Sequence, residues 1–163
     1  PATKIRQKGY TEAAIFASRH SYFATSQRVQ AFISSCERLG IETDEKYILK
    51  GSSTRNGGYE IGKQYAALKE PPKMIFCDSD ASALRAFHEE GISVPGDAEL
   101  LSIGMLDPEA ASYYVPSLSV VEMPNKEIGQ QVLRLMRKKV LNNDMSSEHV
   151  KVHAKLMLRE SFS

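Results

Sequence analysis

A chain of 163 residues, 42% of them hydrophobic, carries enough apolar material for one folded core, which excludes intrinsic disorder. Lys and Arg total 21 against 20 Asp and Glu, and the resulting net charge of +1 leaves no electrostatic footprint for nucleic acid. No apolar run approaches the ~20 residues that span a bilayer. The basic opening, residues 1–8, leads into no apolar signal segment. Two cysteines, Cys36 and Cys77, suit buried thiols in a reducing compartment rather than a disulfide or a metal site.

In chain order, residues 13–17 are a short continuous apolar run and predict a buried strand. A helix over 26–39 follows, because Val29, Phe32, Ile33, Cys36 and Leu39 recur on one face and Gly40 supplies a stop. Tyr47, Ile48 and Leu49 form the next strand, closed by Gly51. A helix opens between Thr54 and Gly58 and runs to about Lys69, where Pro71 and Pro72 end it. Residues 74–77 are again a buried strand. Asp80 then caps a helix carrying Leu84 and Phe87 that Gly91 ends. Residues 100–103 and 118–121 are two further strands. Pro124 suits the start of a helix whose stripe holds Ile128, Val132, Leu135 and Met136. Residues 142–144 are a loop. From Val150 to Arg159 apolar and polar residues alternate, so the last strand has one wet face and belongs at a sheet edge.

Buried strands separated by helices imply an α/β fold with a mostly parallel sheet covered on both faces. Ligands of such sheets bind outside the carboxyl ends of the strands. Glu90-Gly91-Ile92-Ser93-Val94-Pro95-Gly96-Asp97 marks a helix end and turn, and Leu101-Ser102-Ile103-Gly104 a strand that ends on Gly. Together with Ile75-Phe76-Cys77-Asp78-Ser79-Asp80, Pro116-Ser117-Leu118-Ser119-Val120-Val121 and Leu158-Arg159-Glu160-Ser161, these phrases form one collinear set. The set resembles the effector-binding domain of LacI/GalR-type transcriptional regulators. Lys8-Gly9-Tyr10-Thr11-Glu12, Arg28-Val29-Gln30-Ala31-Phe32 (with Ala31 where the family has Gly) and Gly58-Tyr59-Glu60 extend the resemblance over nearly the whole chain.

The resemblance implies a type I periplasmic-binding-protein-like fold, with a second lobe nearly complete and a first lobe partial. Residues 21–112 plus 149–161 are expected to form the second lobe, and residues 1–17 plus 118–142 a remnant of the first. The strands at 13–17 and 118–121 are then expected to lack sheet partners, and the Ile128 stripe its cover, which favours a homodimer. The DNA-binding domain is expected to be absent from this chain, so operator DNA is a partner only through that missing part. The implied ligand is a small effector, sugar or related, sensed in the cytoplasm, with no cofactor, membrane or bond-making step.

By the same resemblance Arg28 forks onto ligand hydroxyls or carboxylates, a role its planar donor geometry suits. Ser79 stands where the family has a ligand-reaching Asn, and Asp80 stands at the helix cap. Asp107 keeps the second acid of the family's strand-end pair, while Leu106 replaces the first, which grips sugar hydroxyls. Ser53 occupies the place of an aromatic that stacks on the ligand. An unpaired ligand hydroxyl costs about 1–3 kcal/mol, so these changes point away from an ordinary monosaccharide. Two alternatives share some of these features. One is an extracytoplasmic solute-binding protein of the same fold. The other is a magnesium-dependent phosphatase, with Asp78 as nucleophile and Asp80 as acid/base.

Overall fold

In a computed structural model, residues 1–19, 23–78, 82–103, 109–141 and 146–163 are described. Six strands form one sheet: β1 (Ala14–Ser18), β2 (Ile48–Gly51), β3 (Met74–Cys77), β4 (Glu99–Ile103), β5 (Ser119–Glu122) and β6 (Lys155–Met157). Their spatial order is β2-β1-β3-β4-β5-β6. The first five pair in parallel, and β6 runs antiparallel to β5. Among the described residues five α-helices accompany them: α1 (Ala2–Gln7), α2 (Phe23–Arg38), α3 (Arg55–Ala66), α4 (Ala83–Glu89) and α5 (Asn125–Leu141). The expected α/β class, parallel sheet and edge position of the last strand are all present.

Alternation along each strand sends neighbouring side chains to opposite faces, and both faces are covered. On one face Ala14, Phe16, Ile75, Cys77 and Leu100 pack against Ile61 and Tyr65 of α3 and Phe87 of α4. There Phe16 meets Tyr65 edge-on at 5.6 Å, and the buried Tyr65 hydroxyl donates to the Pro72 carbonyl at 2.8 Å. On the other face Ile15, Met74, Phe76 and Leu101 meet Ile5 of α1 and Val29, Phe32 and Cys36 of α2. Phe32 stacks on Phe76 with ring centres 3.9 Å apart. Burial pushes the Cys36 thiol up to about 11, the mark of an inert packed thiol. Gly40 and Gly91, read as helix stops, adopt φ of 65° and 72°, a conformation that side chains oppose.

Two expectations need correction. The strands at 13–17 and 118–121 do not lack partners. β1 lies between β2 and β3, and β5 lies between β4 and β6, so both run in the same sheet as residues 48–103. Their assignment to a separate lobe fails because a central parallel strand is paired from both sides and buried on both faces. The alternating stretch after Val150 also yields a shorter strand than expected, Lys155–Met157, since β5 offers a partner of only four residues. The expectation that holds concerns α5, where no residue is buried.

The Leu158-Arg159-Glu160-Ser161 phrase has a structural account. Ser161 Oγ donates to the Leu100 carbonyl at 2.7 Å and accepts from Ser119 N at 2.8 Å. Arg159 Nη1 donates to the Leu118 carbonyl, and a Glu160 carboxylate oxygen accepts from both the backbone and the hydroxyl of Ser117. The chain end is thereby clasped onto β4 and the entry to β5.

Candidate functional site

Because β1, β2 and β3 are parallel, their carboxyl ends lie at one rim of the sheet. Ser18, Ser53 and Asp78 come from the three strand ends, and α2 starts above them. The first turns of α2 carry Thr25 and Arg28, three residues apart and therefore on one face. That face meets Asp78. Arg28 Nη1 stands 3.3 Å from Asp78 Oδ1, with the arginine side chain 30% exposed and the aspartate side chain 0% exposed. Arg28 Nε donates to the Ala24 carbonyl at 3.2 Å, which fixes the guanidinium along the helix. The Asp78 backbone N–H donates to the Phe16 carbonyl at 2.8 Å and continues the β1–β3 ladder.

Asp78 is the most perturbed carboxyl of this rim. Burial pushes it up to about 6, against the downward pull of the Arg28 guanidinium and the Thr25 side chain. Neither neighbour gives it a hydrogen bond of ordinary geometry, and both carboxylate oxygens are buried without one. A buried acid raised by desolvation and held beside a specific cation at a strand end makes this rim the candidate site.

Ser53 sits on the exposed loop after β2, and its hydroxyl hydrogen-bonds that of Ser18 at the end of β1. The loop is set by α3. Thr54 caps the helix by accepting from Gly57 N at 3.1 Å. Ser52 lies so close that a Cβ on Gly57 would come within 2.0 Å of its carbonyl oxygen. Only glycine at 57 leaves room for this turn.

Of the residues expected from the sequence, Arg28 and Ser53 therefore stand at the strand-end rim. Ser79, Asp80, Leu106 and Asp107 lie outside the described residues. α4 opens at Ala83 with Ser82 in the cap position, which corrects the expectation that Asp80 caps it, because the helix starts two residues later than read. Sequence reasoning gave Asp78 only the part of a phosphatase nucleophile. Its carboxylate is enclosed and turned against Arg28, which leaves no line of attack on phosphorus. Ser18 and Thr25 were not singled out at all. The available signal was position, since each lies within a few residues of the carboxyl end of a buried strand. A shallow cleft of about 610 Å3 lies beside Glu122, Met123, Pro124 and Asn125, but none of its lining residues is buried, so no enclosed polar group converges on it. Among the described residues no helix is long and apolar enough to cross a membrane, and no group of three His, Cys, Asp or Glu could hold a metal ion.

Comparison with known proteins agrees with the topology. Residues 2–162 match the family described as periplasmic binding protein-like domain. The HTH-type transcriptional repressor PurR of Mannheimia succiniciproducens is 26% identical over 156 residues, covering 94% of this chain and 46% of that protein. The HTH-type transcriptional repressor CytR of Escherichia coli K12 is 27% identical over 156 residues, covering 94% of this chain and 44% of that protein. A LacI family transcription regulator from Clostridium acetobutylicum superposes with a TM-score of 0.87 at 28% identity, covering 97% of this chain and 60% of that one. The chain spans about half the length of the curated relatives it matches. With its parallel sheet and an almost end-to-end match to one family, the chain belongs to the periplasmic binding protein-like domain family.

Proposed function

We propose that this domain senses a small, polar, sugar-like effector on behalf of a bacterial transcription regulator and makes or breaks no bond. The observation that carries the reading is Arg28, a half-buried guanidinium held over the carboxyl ends of parallel strands, where ligands of such sheets bind. Under this reading an effector at Arg28 favours one arrangement of the regulator over another, and only a difference in affinity between the two drives the switch. Operator DNA is contacted by residues outside this chain, and the regulator acts in the cytoplasm as a homodimer. Ser79, Asp80 and Asp107 add polar groups to the pocket. Leu106 and Ser53 remove an acceptor and a stacking face, so the effector departs from an ordinary monosaccharide. We also assign residues 125–141 to a first lobe. Support comes from the uncovered apolar stripe of α5 and from relatives about twice as long.

A thermal-shift screen of sugars, nucleosides and phosphosugars tests the reading. A ligand bound only by the native state raises Tm with concentration by mass action. One class is expected to do so, and Arg28→Met is expected to abolish the rise. A rise that Arg28→Met leaves intact removes Arg28 from the site, and silence from every class removes the sensing role.

A further inference from the structure

Asp78 does more at this rim than sequence reasoning allows. A carboxylate fully withdrawn from solvent with no hydrogen bond on either oxygen is a costly arrangement. It is not a helix cap, and it closes no ladder through its side chain. Its one charged neighbour among the described residues is Arg28, whose Nη1 is 3.3 Å away. The two side chains come from segments 50 residues apart and meet only because α2 starts above β3.

The pairing changes what Arg28 can recognise. A lone guanidinium presents five donors and a full positive charge, the natural partner of a phosphate or carboxylate. Here one Nη1 faces Asp78, and Nε is engaged by the Ala24 carbonyl. The part-exposed remainder of the guanidinium still offers donors, but its charge is cancelled at contact distance. An anion arriving at Arg28 meets a carboxylate directly behind it, in an enclosed setting where water screens little. A neutral molecule with hydroxyl groups meets donors on Arg28 and no such repulsion.

We propose that Asp78 is a specificity-determining residue of the Arg28 site, cancelling the guanidinium charge so that the site takes uncharged, hydroxyl-bearing effectors and rejects phosphorylated or carboxylated ones. This rests on the effector-binding reading of Arg28.

Isothermal titration calorimetry of the 163-residue chain with inorganic phosphate at pH 7.5 tests it, because Asp78, near 6, is charged there. Asp78→Asn is expected to bind phosphate at least tenfold more tightly than the wild type, and adding Arg28→Met is expected to erase the gain. Equal affinity in wild type and Asp78→Asn, or no binding by either, overturns the proposal. So does a gain that survives the loss of Arg28. Should Asp78→Asn fail to fold, Asp78→Ser takes its place in the same comparison. A matched sugar and sugar phosphate separate this claim from the sensing role. Wild type preferring the phosphate ester overturns charge cancellation and leaves sensing intact. A tenfold phosphate gain in a chain that answers to no effector class supports charge cancellation and removes sensing.

Discussion

Two helices of nearly equal length make opposite use of their apolar residues. α2 has 16 residues and sends Val29, Phe32 and Cys36 into the core under β1 and β3. α5 has 17 residues and buries none, with Leu133 68% and Val140 74% exposed. Both sequences carry a helical stripe, so periodicity does not separate them. What differs is the element opposite each stripe. α2 lies on a sheet face, while α5 is accompanied by the segment 146–152. There Glu148 pairs with Arg134 and Lys138, and Val150 and Val152 share a shallow cleft with Ile128, Val132 and Leu135. Ion pairs at the surface are weak supports. An amphipathic stripe therefore states that a cover is needed, not that the chain supplies one.

The largest effect that should separate the two regions comes from the sheet. Phe76→Ala removes the ring stacked on Phe32 and leaves a cavity beneath α2, and is expected to cost about 3–5 kcal/mol. Urea denaturation followed by circular dichroism measures it. A loss below about 0.5 kcal/mol, the range of ordinary surface changes, would place the core elsewhere.

The rim between sheet and α2 gives the next effect, and its sign depends on pH. Asp78 is raised from 3.8 in the unfolded chain to about 6 in the folded one, so the native state holds the proton more tightly across that interval. Stability that the protonated acid contributes at low pH is lost as pH rises through about 6. Asp78→Asn cannot ionise and should gain on the wild type over the same interval, by at most roughly 3 kcal/mol for a rise from 3.8 to about 6. Urea midpoints of the two proteins between about pH 4 and pH 7 report this, and parallel curves would contradict a raised carboxyl. Somewhat smaller is the cost of opening the clasp at the chain end. Ser161→Ala strands the buried Ser119 N–H and the Leu100 carbonyl and is expected to lose about 1–3 kcal/mol. An unchanged midpoint would mean that water or a local shift satisfies both groups.

Most of the fold was legible because its signals are local. Continuous apolar runs gave β1, β3 and β4, a 3.6-residue stripe gave α2, and Gly40 and Gly91 stop helices as read. Strand adjacency is not local. β1 pairs with β2 and β3 across 33 and 61 residues, so nothing near Ala14 revealed that it sits in the middle of the sheet. The same limit governs the site. That Arg28 and Ser53 follow the ends of strands could be read. The Arg28–Asp78 contact could not, since it depends on β1 and β3 lying side by side. Alternation over 150–159 misled in length because a strand extends only as far as its partner, and β5 has four residues.

The smallest effect sharpens the contrast most. Leu133→Ala and Met136→Ala delete apolar groups from α5 that are largely in contact with solvent, 68% and 55% exposed. Each is expected to change stability by no more than about 0.5 kcal/mol. A 17-residue helix without a packed face is marginal by itself. Its amides should therefore exchange with deuterium far sooner than those of β1 and β3, whose opening follows global unfolding. If Leu133→Ala instead cost as much as Phe76→Ala, or α5 amides exchanged as slowly as those of β1, this helix would have a cover within the chain. The division between a self-sufficient sheet and a helix awaiting a partner would then fall.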